Sequence, residues 1–144
     1  AALIEQYFFQ YPGVKKYLEQ TAEFAREHGY VETVLGRRRY LRDINSRNAT
    51  TRQGEERNAI NAPIQGSAAD MIKLAMSRIY SEFWQRQLQT RMLLQVHDEL
   101  VFDLHRDEMD VVLPLVEKAM KEALPIAVPV LVEMGTGETW VEAH

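Results

Sequence analysis

Two apolar runs, residues 91–96 and 100–104, are separated only by His97, Asp98 and Glu99. A spacer this short joins extended segments as a tight β-hairpin. The tip is then acidic, with adjacent carboxylates clamped between apolar strands. Close carboxylates repel unless a cation lies between them or one takes up a proton. Mg²⁺ suits such a pair, because it prefers carboxylate oxygens and completes its shell with waters and substrate phosphates. A rigid tip would hold these ligands still, as metal-assisted phosphoryl chemistry requires. Asp and Glu are also ordinary turn residues, and the tripeptide alone does not separate the two readings.

The elements around this hairpin are mixed. Residues 14–28 have helical spacing (Val14, Tyr17, Leu18, Thr21, Ala25), and Gly29 stands where a helix ends. Residues 30–34 and 38–44 read as strands about a Leu35-Gly36-Arg37 turn, and residues 45–51 as a polar loop. Residues 52–85 are helical again, and Pro63 and Gly66 predict a kink, or two helices meeting near Gln65. A last helix over residues 107–124 contains Pro114, and a final strand is predicted over 128–134. Strands paired through hairpins and interleaved with helices predict an α+β fold, an antiparallel sheet with helices packed on one face. No segment looks like an interdomain linker, so the 144 residues read as one domain or part of a larger one.

A polar set stands on the long helix. Arg57, Asn61 and Gln65 follow i, i+4, i+8 spacing, which stacks them on one stripe of a regular helix. These side-chain types hydrogen-bond base edges and sugars, and Arg also neutralises phosphate. Minor-groove acceptors are degenerate, so such a stripe could sense duplex geometry without reading sequence. A solvated helix face has the same composition. Charge is uneven: residues 36–57 hold seven arginines against three acids, while residues 98–144 hold eleven acids against three bases. An arginine-rich stretch can contact phosphates, whereas acids can hold a cation.

The absence of cysteine excludes a disulfide scaffold, a zinc ribbon and a Cys nucleophile. No apolar run approaches the roughly 20 residues needed to span a bilayer, so no membrane partner is expected. No glycine-rich phosphate loop and no HExxH spacing occurs. Asn48-Ala49-Thr50 matches a glycosylation sequon of the kind that arises by chance.

QVHDELVF at residues 95–102 resembles a conserved motif of the bacterial DNA polymerase I type, family A. ERNAINAPIQGSAADMIK resembles the helix that precedes it there. YPGVKKY, GYVETVLGRRRYLRDINSRN and VPVLVEMGTGETWVEAH are also similar to that family, in the same order. The resemblance covers almost the whole chain. It implies template-directed DNA synthesis, nucleotidyl transfer from a dNTP to a primer 3′-hydroxyl, at a two-metal Mg²⁺ site in the palm. Asp98 would be a direct Mg²⁺ ligand and Glu99 an accessory carboxylate. Arg57, Asn61, Gln65 and His97 would line the minor groove of the primer–template DNA, and the arginine-rich hairpin would approach the backbone. A bacterial, cytoplasmic setting is implied.

The family's DxSxxELR motif and its nucleotide-gripping fingers helix are absent. Residues 1–144 are therefore expected to be the C-terminal part of a polymerase domain, the end of the fingers and most of the palm. The metal site would be incomplete without the remainder of the polymerase chain, and the isolated segment inactive. The residues also fit a non-enzymatic DNA-binding module using the arginines, or a metal-dependent phosphohydrolase centred on Asp98 and Glu99.

Overall fold

A computed structural model describes residues 2–143. The chain divides into two compact units, Ala1–Ala68 and Ala69–His144.

The first unit begins with helices α1 (Ala2–Gln10) and α2 (Pro12–His28). Pro12 opens α2, where its missing N–H costs nothing. Gly29 ends it at φ 75°, a left-handed conformation that spares glycine a Cβ clash, and its N–H bonds the Ala25 carbonyl. Strands β1 (Tyr30–Glu32) and β2 (Arg38–Tyr40) pair antiparallel, Tyr30 opposite Tyr40 and Glu32 opposite Arg38. A two-stranded ribbon is marginal by itself. Here Arg38 lies 4.4 Å over the Tyr30 ring and its Nε bonds Glu32 at 2.7 Å. Beneath the ribbon, Ala25, Val31, Leu41, Ile44, Ala59 and Ala62 form a small core.

Helix α3 spans Ala49–Gln85, 37 residues, and carries Pro63 inside it. It starts earlier than the sequence pattern predicts because Asn48 caps it. The Asn48 Oδ1 accepts the N–H groups of Thr50 and Thr51 at 3.0 and 3.3 Å. The sequon asparagine is thus a helix cap. The two helices that could have met near Gln65 are one, and residues 49–85 form a single helix through Pro63.

The second unit packs the later part of α3 against a hairpin and helix α4 (Met109–Lys121), which a 3-10 turn (Arg106–Glu108) precedes. Its core is Ile79, Phe83, Val112 and Val116, with Leu100, Phe102 and Leu104 against it. The hairpin joins β3 (Arg91–Val96) to β4 (Glu99–Asp103), with Val96 opposite Glu99 and Arg91 opposite Asp103. A bulge between Met92 and Leu94 re-phases the root of β3, so that Met92 faces Phe102.

The α+β expectation holds, and strand pairing is antiparallel throughout. The sheet consists of two separate hairpins. The strand predicted over residues 128–134 does not form; that stretch is irregular. A strand exists only through its partner, and none of the described strands pairs with it. Trp84 and Trp140 are 76% and 52% exposed.

Candidate functional site

The hairpin tip is tighter than the sequence suggests. Glu99 already belongs to β4, so the turn consists of His97 and Asp98. A two-residue connection needs a left-handed backbone, and His97 supplies it at φ 54°. His tolerates this region better than most residues, yet the conformation still costs on the order of 1 kcal/mol. The neighbouring strand helps to hold it, as Gln95 Nε2 donates to the His97 carbonyl at 2.7 Å. Asp98 stands exposed beside this clamped residue, with no hydrogen-bond or ion-pair partner among the described residues. Glu99 is half-buried and engaged with its surroundings.

The root of the hairpin is fastened as well. Glu108 accepts the backbone N–H groups of Gln89 and Thr90 at 2.8 and 2.9 Å and the Thr90 hydroxyl at 2.6 Å. The same hydroxyl accepts the His105 N–H at 3.1 Å, linking the chain before β3 to the chain after β4. Bonding to Gln89 first, and then to Thr90, holds the Glu108 carboxyl below its ordinary range. A cavity of about 450 Å³ at this end is lined by Leu88, Gln89, Arg91, Asp103 and His105, none of them a predicted site residue.

Arg57, Asn61 and Gln65 lie on unbroken α3 and are all exposed, so the i, i+4, i+8 spacing does place them on one stripe. The stripe belongs to the first unit; His97, Asp98 and Glu99 belong to the second. Arg57 Nε bonds the Gln53 carbonyl at 3.3 Å. Two arginines of the β1–β2 ribbon are occupied by the protein itself. Arg38 pairs with Glu32, which raises its pKa further, and Arg37 Nη2 donates to the Gly66 carbonyl at 3.1 Å.

Sequence reasoning missed the Gln95 clamp, the Glu108–Thr90 fastening and the Arg37–Gly66 contact. Gln95 had a visible signal, a polar residue interrupting an apolar strand. The other two join residues 18 and 29 positions apart, beyond any local pattern. Among the described residues, no group of three or more His, Cys, Asp or Glu could hold a metal ion, and no helix is long and apolar enough to cross a membrane.

A family model for DNA polymerase family A matches residues 1–142. DNA polymerase I of Lactococcus lactis subsp. cremoris is 48% identical over 140 residues, covering 97% of this chain and 16% of the relative. The thermostable DNA polymerase I of Thermus thermophilus is 46% identical over 142 residues, covering 99% of this chain and 17% of the relative. Among solved structures, the POL domain of Pol1 from M. smegmatis, in complex with DNA primer-template and dNTP, matches with a TM-score of 0.95 and 46% identity. That match covers 97% of this chain and 25% of the other. The chain thus spans 16 to 17% of the length of these curated relatives. It belongs to DNA polymerase family A.

Proposed function

We propose that the parent protein carries out template-directed DNA synthesis, joining a dNTP to a primer 3′-hydroxyl in the bacterial cytoplasm. Residues 1–144 are the C-terminal part of its polymerase domain, the end of the fingers and most of the palm. The observation that carries this reading is Asp98, an exposed carboxylate without a protein partner among the described residues, next to a strained and clamped turn residue in a family A polymerase.

The donors suit Mg²⁺. The ion is hard, takes oxygen ligands, and is commonly held by one or two carboxylates with water and substrate phosphates completing its shell. Asp98 would hold it directly, with Glu99 as accessory; further ligands would come from the nucleotide and from the rest of the polymerase. Bound Mg²⁺ lowers the pKa of an attacking hydroxyl and stabilises charge on departing pyrophosphate. The turn keeps the Asp98 carboxylate in place, since a site that is loose by about 1 Å loses most of its advantage. Arg57, Asn61 and Gln65 present donors to minor-groove acceptors, which every correctly paired terminus offers in the same positions. His97 is likewise proposed as a minor-groove contact.

The test is Asp98→Asn in the parent polymerase. Loss of a metal ligand should lower nucleotide addition at least about a hundredfold, the scale of several kcal/mol of charge stabilisation. Primer–template affinity should persist, because phosphate contacts supply it and none is removed. Extension at the wild-type rate by this variant would sink the reading.

A further inference from the structure

Pro63 has no amide hydrogen to bond back into α3, and Gly66 has no side chain to support the next turn. Helices bend at such places, yet α3 is continuous through both. The β1–β2 turn lies against this stretch. Thr33 Cγ2 is only 2.5 Å from where a Cβ on Gly66 would stand, so glycine alone allows the approach. Arg37 Nη2 donates to the Gly66 carbonyl at 3.1 Å. The Val34 N–H donates to Ser67 Oγ at 2.9 Å, and that hydroxyl donates to the Pro63 carbonyl at 2.6 Å. The turn is itself internally closed. Thr33 N–H bonds the Arg37 carbonyl at 3.0 Å, Arg37 N–H bonds Thr33 Oγ1 at 3.2 Å, and Gly36 takes φ 78°. Gln65 stands exposed within the braced stretch.

The geometry points to the β1–β2 turn as a strap that fixes residues 63–67 of α3, with Arg37 and Ser67 as positioning residues for Gln65 at the primer–template minor groove. This rests on the minor-groove reading above. Arg37 sits in an arginine-rich stretch whose obvious use is phosphate contact. Its guanidinium instead bonds the Gly66 carbonyl, in the helical turn that follows the proline. A donor that must meet a fixed acceptor gains more from a helix held in place by such contacts than from one more charge nearby.

The two uses of Arg37 are separable in the parent polymerase. Arg37→Ala, Gln65→Ala and the double variant are compared for extension of matched and mismatched termini and for the salt dependence of primer–template binding. The strap predicts that Arg37→Ala lowers matched extension roughly threefold to tenfold, the effect of one positioning hydrogen bond. It also predicts that Arg37→Ala changes mismatch sensitivity in the same direction as Gln65→Ala. The double variant should be no worse than Gln65→Ala alone, with the salt slope unchanged. Ser67→Ala, which alters no charge, should behave like Arg37→Ala and carries the comparison if the arginine variant does not fold. Additive losses with a salt slope reduced by about one unit would make Arg37 a phosphate contact and overturn the strap. A silent Gln65→Ala overturns the minor-groove reading together with the strap. An effective Gln65→Ala beside a silent Ser67→Ala overturns the strap alone.

Discussion

Arg57 and Arg37 stand twenty residues apart in a chain rich in arginine, and the protein treats them differently. Arg37 is bonded into the fold through its terminal nitrogen, whereas the one bond described for Arg57 uses Nε, leaving its side chain exposed on the stripe. If that stripe meets the DNA minor groove, Arg57→Ala in the parent polymerase should lower extension of matched primers roughly tenfold and alter mismatch sensitivity. That is the scale of about 1–3 kcal/mol carried by a good base-edge contact. Primer extension on matched and mismatched termini measures it, and wild-type values for both would remove Arg57 from the interface. The candidate residues were legible in sequence because each sits in a distinctive string. Their supports were not: nothing local to Arg37 says that its guanidinium will find the Gly66 carbonyl.

The hairpin is the element on which the candidate site depends, and its root is pH-sensitive. Glu108 is held below the ordinary carboxylate range by the Gln89 and Thr90 N–H groups and the Thr90 hydroxyl, with His105 nearby adding to the effect. A lowered folded pKa means that the stabilisation is fully present above the unfolded value, about 4.3. It is lost as the pH falls below that through the folded value. Glu108→Gln should therefore destabilise the second unit at neutral pH, and the gap to wild type should narrow below about pH 4. Urea melts at several pH values measure this; a gap independent of pH would show that the carboxylate charge is not what fastens the root. Most elements were legible: apolar runs with a short spacer gave the hairpin, and Gly29 marked the end of α2. The unbroken α3 was not, because the contacts that brace it at Pro63 come from a distant turn. The strand predicted over residues 128–134 failed for a related reason, since its pattern specifies an extended segment and cannot supply a partner.

At the scale of the molecule, the α+β class was legible but the division into two units was not. The boundary at Ala68 and Ala69 falls inside α3, where no change of composition marks it. The first unit buries mainly small side chains, Ala22, Ala25, Ala59 and Ala62 beside Val31, Leu41 and Ile44. Meanwhile Leu3, Phe9, Leu131 and Val141 are each more than 80% exposed. If residues 1–144 are part of a larger polymerase domain, as proposed above, other protein covers such side chains there. Residues 1–144 produced alone should bind a hydrophobic dye and self-associate at micromolar concentration, as fluorescence and sedimentation velocity would report. A dye-silent monomer would mean that these side chains are content in water.

The bulge at Leu93 separates the phase of the hairpin's root from that of its apex. Removing that one residue would leave Arg91 opposite Asp103 and Met92 opposite Phe102 in a regular ladder, and Asp98 where it stands. An extra residue between Val96 and Glu99 has no such freedom, because it would open the tight turn that carries the aspartate. Length variation in this ribbon is therefore tolerable at one end and prohibited at the other.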